Sequence, residues 1–353
     1  MSLTAAKTAQ RRSSSRSSSL TVLHVLDAHA PWTVWRAAKA LLQLCEQEGD
    51  ATARHLVAAP TVQATRARMR VDAPLRPRPL RARVDALRLR RLAAPDVVHL
   101  WWEGSCCGLL ASAFSSFART ATLWAAPSSE RRAQALARWA TGGAVAAGES
   151  ITPHWPLTGL RCAQPPALLE PLSPEAMQRL RSQWGASSER IAVVGLAGEP
   201  AAAQDALRFA AVIGALALLG VRTAGVAPAE ARNVAAGARL LSELGGDAAL
   251  LTVADDSGAW LASCDAALHA GQDAASAQAA LDAGIPVVAS AAWGAAAPSC
   301  VVASSKSPLI LAGALQQALA HGPLQPVSQR EAQQRLRRWR NAHETLWRSA
   351  VQR

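Results

Sequence analysis

The sequence predicts a two-domain α/β protein in which each domain contains a doubly wound parallel sheet. The chain has 353 residues, too many for one ordinary core and suited to two domains of about 150 residues each. Half of the residues are apolar, which is enough to fill two cores. Short apolar runs alternate with segments of helical periodicity, and this alternation stops at a proline-rich stretch and then begins again.

The strands of the first half are short, apolar runs, several of them rich in β-branched residues. They are predicted at residues 20–27, 54–59, 96–102, 120–126 and 143–147. Helices are predicted between them at residues 32–48, 84–93, 109–117 and 130–140. No element is predicted at residues 61–83, which are rich in arginine and proline and show no periodicity. The first domain therefore spans residues 20–164, after a disordered basic tail at 1–19.

A linker is predicted at residues 165–188, with one short helix at 174–184. The second domain, residues 189–322, repeats the pattern of the first. Its strands are predicted at 190–196, 222–226, 248–253, 266–269, 286–290 and 300–303. Its helices are predicted at 204–219, 229–244, 258–263, 274–283 and 308–320. Residues 323–353 form a basic amphipathic helix whose apolar stripe, with Trp339 and Leu346, is expected to pack back on the protein body.

The net charge of +12 is concentrated in the first half of the chain. Residues 1–100 have 17 Lys and Arg against 7 Asp and Glu, whereas residues 188–323 have 6 against 11. The longest uncharged apolar run has 13 residues, and a membrane-spanning helix needs about 20. The six cysteines form no C-x-x-C pair, and the first 19 residues lack the apolar segment of a secretory signal. We therefore expect reduced thiols and a cytoplasmic protein.

Several local sequences resemble the group 1, or family 4, retaining glycosyltransferases. LHVLD (23–27) is similar to that family's first strand, and DVVHLW (96–101) to its D-V-V-H-x-H strand. GGAVAAGES (142–150) resembles the stretch before the family's linker. Residues 257–290 resemble the donor-site segment that ends in A-x-G-x-P-V-V-A. Over residues 20–322 the resemblance implies the GT-B fold, with two Rossmann-like domains and a nucleotide-sugar substrate between them, and no cofactor or metal.

The donor site that this resemblance implies is degenerate. The family holds the diphosphate with an Arg and a Lys after the first strand of the second domain, and the donor with two glutamates eight residues apart. Counted back from Gly284, the glutamate positions fall on Gly271 and Ala279. The Arg and Lys segment falls on residues 195–206, which contain no basic residue.

What remains for the donor is mostly main chain, from the loops after two strands and the start of the helix near residue 274. The donor-binding candidates are Gly195, Gly198, Glu199, Gly271, Gln272, Asp273 and Ser276. Backbone amides at a helix N-terminus bind phosphate well, but Asp273 at this position is expected to cap the helix itself.

Acceptor-side candidates lie where strands of the first domain end. Trp32 and Trp101 are placed to stack on a sugar or an isoprenoid, or equally to fill core space. Glu103 is the candidate catalytic acid or base, with a solvated loop carboxylate as the alternative. His24 and His99 lie on central strands, where a hydrogen-bonded core histidine is the expected role.

The basic half of the chain suggests a partner. Ten arginines, the first Arg66 and the last Arg91, form a run that suits an anionic membrane surface, or is a solvated loop. No nucleic-acid-binding signature accompanies them, so nucleic acid is not expected. Peripheral association with the inner membrane face follows from the first interpretation.

The leading functional hypothesis is a glycosyltransferase-like protein with weak or absent turnover, transferring sugar from a nucleotide sugar. The alternative is a non-catalytic GT-B pseudoenzyme that docks on a membrane or on a partner glycosyltransferase. A third hypothesis is epimerisation of a nucleotide sugar, which needs the same phosphate contacts. A cleft filled by tryptophan or by Glu199 would favour the non-catalytic protein.

Overall fold

The structure is a computed structural model that describes most of the chain. The described residues are 20–26, 30, 32–48, 53–76, 81, 84–85, 87–88, 95–101, 119–124, 144–146, 160–162, 166–169, 172–186, 191–198, 205–245, 248–254, 258–270, 274–290 and 300–352. Between residues 119 and 162 the description is confined to the backbone of three strands.

The first domain contains a sheet of seven parallel strands in the order β3-β2-β1-β4-β5-β6-β7. The strands are β1 Leu20–Val25, β2 Ala53–Ala59, β3 Ala73–Pro74, β4 Val97–Leu100, β5 Arg119–Trp124, β6 Ala144–Ala146 and β7 Leu160–Cys162. Helix α1 (Trp32–Gln47) follows β1, and the short helix α2 (Thr61–Arg66) follows β2. In α1 the buried residues lie on one stripe that includes Trp35, Ala38, Leu41 and Cys45.

The second domain contains six parallel strands in the order β10-β9-β8-β11-β12-β13. The strands are β8 Ala192–Ala197, β9 Thr223–Pro228, β10 Ala249–Val253, β11 Ala266–His269, β12 Val287–Ser290 and β13 Val301–Ala303. The helices are α3 Pro174–Gln183, α4 Ala206–Leu218, α5 Val234–Leu244, α6 Ala274–Asp282, α7 Pro308–His321 and α8 Gln329–Gln352, with a 3-10 turn at Ala259–Ser263.

Two trailing helices complete the layers. In a right-handed strand–helix–strand connection, the face of the sheet that the helix covers depends on which side of the first strand the second strand is added. Helices that lead to strands on opposite sides of a central strand therefore cover opposite faces of the sheet. Each sheet is therefore left with half of a face uncovered by crossover helices. In the second domain α7 packs against α4 and against β11 to β13. In the first domain α8 packs beside α1 and across β4 to β7.

Helix α8 connects the two domains. At its beginning Arg335 Nη1 lies 2.8 Å from Asp282 Oδ1, at the end of α6 in the second domain. Farther along, Arg340 pairs with Glu48, just after α1 of the first domain. Because Asp282 is 4 % exposed, the first of these ion pairs is buried.

The linker helix α3 belongs to the second domain by its contacts. Arg181 Nη1 donates to Asp265 Oδ1 at 2.7 Å, and Arg181 Nη2 donates to the Ile191 carbonyl at 2.8 Å. Asp265 in turn accepts from the Val193 amide at 2.7 Å. One carboxylate therefore joins the linker helix to the first strand of the second domain.

The predicted fold class, two doubly wound α/β domains, is confirmed, although some elements differ from the prediction. Helix α2 and strand β3 lie in the segment for which no element was predicted, and β7 was not predicted. Helix α5 begins at Val234 rather than at 229, because Asn233 adopts a left-handed conformation with φ of 61°. The segment predicted as a helix at 258–263 is a 3-10 turn.

Within the residues that the structure describes, no helix is both long and apolar enough to cross a membrane. The cysteines with described side chains, Cys45, Cys264 and Cys300, form no disulfide with one another, and the first two are buried.

Candidate functional site

The strand order of the second sheet reverses beside β8. Strands β9 and β10 extend from one side of β8, and β11 to β13 extend from the other. Ligands of open α/β sheets bind outside the carboxyl ends of the strands at such a point. A ligand site is therefore expected between the carboxyl ends of β8 and β11.

A cavity of about 180 Å³ lies at that place. Its lining residues come from the carboxyl ends of β8 and β11, the first turns of α4, and the loop after β9. They are Leu196, Asp205, Arg208, Phe209, Arg232, Leu268 and Ala270. Arg208 and Arg232 are both exposed, so their guanidinium groups are accessible to a ligand from solvent.

Local hydrogen bonds bring the two arginines together. Asp205 and Arg232 form an isolated parallel bridge, and the Ala206 amide donates to the Arg232 carbonyl at 2.9 Å. The Asn233 side chain donates to Asp205 Oδ1 at 3.2 Å, and its left-handed backbone turns the chain into α5. The loop after β9 is thus fixed against the first turn of α4, which carries Arg208.

The positive charge of this cavity comes from side chains. Asp205 caps α4 by accepting from the Leu207 amide at 3.2 Å, so this carboxylate already occupies the helix N-terminus. An anion in the cavity would therefore be held chiefly by Arg208 and Arg232, whose planar guanidinium groups suit the paired oxygens of a phosphate.

Arg232 is not among the sequence-based candidates, although a signal for it exists. Strands β8 and β9 are neighbours in the sheet, so the loops after both strands open on the same edge. A basic residue a few positions after β9 was therefore as good a candidate as one after β8. Arg208 lies one turn into α4, beyond the 195–206 segment in which the family's basic residues were sought.

The predicted donor-binding residues lie in several places. Gly195 is buried within β8, where an added Cβ would lie 2.9 Å from Cys264 Sγ and 3.0 Å from Leu261 Cδ2, so packing alone requires glycine here. Gly198 follows the carboxyl end of β8 with φ of 135°, a conformation that favours glycine. Ser276 is fully buried on α6. Glu199, Gly271, Gln272, Asp273 and the catalytic candidate Glu103 lie outside the described residues.

Ala279, to which the resemblance assigns the second glutamate position, is 2 % exposed in the interior of α6. Its neighbours Ala277 and Ala280 are also buried, so α6 is enclosed by protein on more than one face. A carboxylate at this place would require rearrangement of the core.

The two acceptor-side tryptophans have different surroundings. Trp32 begins α1, is partly exposed, and lies against Gly258 of the second domain. Trp101 is fully buried, and its indole Nε1 donates to His24 Nδ1 at 3.0 Å. No face of the Trp101 ring is open to an acceptor, which corrects the interpretation of this residue as a stacking platform.

Trp101 belongs to a buried cluster of imidazole and indole rings between the first sheet and α8. The members of this histidine cluster are His24, His55, His99, Trp101, Trp339, His343 and Trp347. His99 and His343 have ring centroids 5.1 Å apart, and Trp101 stacks on His343 at 5.6 Å. The cluster therefore attaches α8 to the strands.

Three histidines of the cluster, His24, His99 and His343, have a lowered pKa. Burial, together with the charges of His55 and His343, places the pKa of His24 well below its ordinary value. Burial likewise lowers the pKa of His99, and it lowers that of His343 to about 4 against a hydrogen bond to the Trp339 carbonyl that acts in the other direction. In the described part of the chain, no set of three or more His, Cys, Asp or Glu side chains is placed to hold a metal ion.

Comparison with solved structures defines the class of fold. No protein-family model matches the sequence, and neither does any curated protein. HepE of Anabaena in complex with UDP-glucose is 13 % identical, with a TM-score of 0.61 over 94 % of this chain and 98 % of that one. UDP-GlcNAc 2-epimerase from Neisseria meningitidis bound to UDP-GlcNAc is 9 % identical, with a TM-score of 0.62 over 95 % and 100 % of the chains.

A glycosyltransferase from Rickettsia africae is 11 % identical, with a TM-score of 0.58 over 95 % of this chain and 96 % of that one. The similarity to each of these proteins extends across both domains. The chain therefore has the GT-B fold, the two-domain architecture of nucleotide-sugar glycosyltransferases.

Proposed function

We propose that this protein is a glycosyltransferase-like protein that binds a nucleotide sugar through its diphosphate, with low turnover. The observation that carries the proposal is the cavity between the carboxyl ends of β8 and β11, with Arg208 and Arg232 in its lining. Its volume of about 180 Å³ suits a diphosphate, since sites for whole drug-sized ligands occupy about 300–1,000 Å³. The nucleoside and the sugar would extend from it along the edge of the sheet.

Low turnover is proposed from the residues around the sugar. In the resembling family two carboxylates contact the donor, and Ala279 stands buried at one of these positions. A hydrogen bond to a charged group contributes about 1.5–3 kcal/mol, so losing one costs roughly 10- to 100-fold. The complexes of similar folds with UDP-glucose and UDP-GlcNAc support the choice of ligand class.

Replacing either cavity arginine should weaken nucleotide binding. We expect Arg208→Ala and Arg232→Ala each to raise the Kd for one of UDP, GDP or ADP by about 10-fold or more, because each removes a charged hydrogen-bond donor to the diphosphate. Titration calorimetry of the full chain measures this, with thermal shift as the first screen, since a ligand at 100 times its Kd stabilises by about 2.7 kcal/mol.

The matched control is Arg239→Ala, an exposed arginine on α5 of the same domain that does not line the cavity. Its affinity for nucleotide should equal that of the unmodified protein. Equal affinities for all three variants, or no binding of any nucleotide by the unmodified protein, would contradict the proposal.

A second candidate function, a non-catalytic membrane-surface adaptor, is favoured by the surface around α2. Six described arginines there are exposed: Arg66, Arg68, Arg70, Arg76, Arg81 and Arg88. Among them Val62, Val84 and Leu87 are also exposed, at 64 %, 53 % and 45 %. Exposed arginines interspersed with aliphatic side chains suit an anionic lipid surface, which attracts each basic residue by about 1 kcal/mol.

Vesicle sedimentation tests the adaptor function. We expect the full chain to bind vesicles that contain anionic lipid and not purely zwitterionic ones. A triple variant, Arg66→Gln, Arg81→Gln and Arg88→Gln, should bind about 100-fold more weakly, from about 1 kcal/mol per residue.

The control for this experiment changes three exposed arginines of α8 to glutamine, namely Arg330, Arg338 and Arg348. It removes the same net charge from another surface. If both triple variants lose binding equally, the attraction is one of net charge and the surface around α2 is not a docking site.

A further inference from the structure

Trp32 makes a close contact between the two domains. It is the first residue of α1, just beyond the carboxyl end of β1, and Gly258 lies just beyond the carboxyl end of β10. A Cβ added at Gly258 would lie 2.8 Å from Trp32 Cδ2 and closer still to two other atoms of the indole. The carboxyl edges of the two sheets therefore meet where the Trp32 ring packs on Gly258.

The Arg36 side chain packs on the Trp32 ring. Its guanidinium carbon lies 5.5 Å from the centroid of the Trp32 ring, within the range of a cation–π interaction. Its Nη1 also donates to the Leu168 carbonyl at 2.6 Å, in the segment that joins the domains. Arg36 and Trp32 are four residues apart on α1, so they share one helix face and form one unit.

Helix α1 also packs against α6 of the second domain, the helix that holds Ala279. Both helices begin at the carboxyl edge of their own sheet, which is the edge where ligands of such folds bind. Contacts between described residues therefore cross the space between the domains, among them Trp32 on Gly258 and α1 on α6.

We propose that Trp32, supported by Arg36, is a clamp that holds the interdomain cleft closed, and that a ligand touching both domains must displace its ring from Gly258. The clamp deepens the proposed function, because it controls access to the cleft beside the cavity. It also accounts for Gly258: the residue has φ of 66°, and any side chain would collide with the ring. Ligand pockets at domain interfaces commonly depend on such closing contacts.

Two opposite substitutions test the clamp. Trp32→Ala removes the ring, and Gly258→Ala inserts a methyl group where the ring lies. Both should open the cleft, so small-angle X-ray scattering of the full chain should show a larger radius of gyration for each variant, with unchanged far-UV circular dichroism.

The control is Gly185→Ala, at a glycine with φ of 68° and no heavy atom within 4 Å of an added Cβ. It imposes the same backbone strain without the collision, and its scattering should match the unmodified protein. Scattering by Trp32→Ala that also matches the unmodified protein would overturn the proposal, and this variant avoids the strain of a changed glycine.

A ligand measurement separates this proposal from the proposed function. In the opened Trp32→Ala variant the affinity for UDP-glucose should rise several-fold more than the affinity for UDP, because only the sugar conjugate reaches across the cleft. Equal changes in the affinities for UDP-glucose and UDP would overturn the proposal that the clamp controls access to the cleft. Opening without binding of UDP, GDP, ADP or any of their glucose conjugates would contradict the proposed function and leave the clamp established by scattering.

Discussion

Acidification from pH 7.5 to pH 5 should unfold this protein. Four buried histidines have a depressed pKa in the folded state: His24, His99, His269 and His343. Above the ordinary histidine pKa of about 6.5, the folded and unfolded chains both carry neutral rings. Below it the unfolded chain takes up protons, whereas burial prevents their uptake in the folded protein until about pH 4 for His269 and His343. The free energy of unfolding therefore falls as the pH falls.

The hydrogen bonds of the histidine cluster explain why the folded protein resists protonation. The Trp101 indole can only donate, so His24 Nδ1 must be the acceptor and the proton of the neutral ring lies on Nε2. His24 Nε2 then donates to His55 Nδ1 at 3.0 Å. A second proton on His24 would set two N–H groups against each other, and His99 has no hydrogen-bond partner among the described residues at either ring nitrogen.

The expected effect is large. Each histidine that is protonated only in the unfolded chain reduces stability by about 1.4 kcal/mol per pH unit, so four of them reduce it by on the order of 5 kcal/mol per unit. Typical folded domains have only about 5–15 kcal/mol in total. Urea unfolding followed by tryptophan fluorescence at pH 7.5, 6.5 and 5.5 measures the loss.

A single substitution assigns the effect to the cluster. His343→Phe keeps an aromatic ring and cannot take up a proton, so the proton uptake on unfolding should fall by about one. His321→Gln, which removes an exposed histidine at the end of α7, is the matched control. A free energy of unfolding that stays constant from pH 7.5 to 5.5 would contradict the prediction that protonation of the buried rings destabilises the protein.

The sequence predicted the layers of this fold well, because their signals are local. Residues 20–25 and 192–197 are short apolar runs, and a parallel strand buried on both faces requires such a run. Helix α2 and strand β3 were missed because residues 61–83 are rich in arginine and proline and show no periodicity, and pairing with β2 decides the structure of β3. Where the intrinsic propensity of a segment does not decide its secondary structure, its tertiary contacts therefore do.

The site was less predictable, because its residues are brought together by the fold. Arg208 and Arg232 are 24 positions apart, and the bridge between Asp205 and Arg232 brings their segments together. The sequence left two roles open for Trp101, stacking on an acceptor and filling the core, because this residue lies near the end of a predicted strand. It is buried, and α8, more than 200 residues farther along the chain, supplies His343, whose ring stacks on it.

The second large effect is expected from Arg335→Met. Arg335 Nη1 lies 2.8 Å from Asp282 Oδ1, and the exposed fractions of their side chains are 12 % and 2 %. Without Arg335 the buried carboxylate keeps only the Gln278 amide as a described side-chain partner, at 2.8 Å. Breaking a buried ion pair by removing one partner costs about 3–5 kcal/mol, since the remaining charge is uncompensated. Urea unfolding at pH 7.5 measures this cost.

A double substitution distinguishes the charge from the lost packing. Adding Asp282→Asn to Arg335→Met removes the buried charge, so the double variant should recover at least half of the lost stability. Arg337→Met is the matched control on α8: its side chain is 69 % exposed and 3.8 Å from Glu48, and such surface pairs contribute about 0–1 kcal/mol. A double variant as unstable as the sum of its parts would mean that packing, rather than charge, connects α6 to α8. Because the variant is less stable at pH 7.5 while the buried histidines are unchanged, loss of this ion pair should also raise the pH at which acid unfolds the protein.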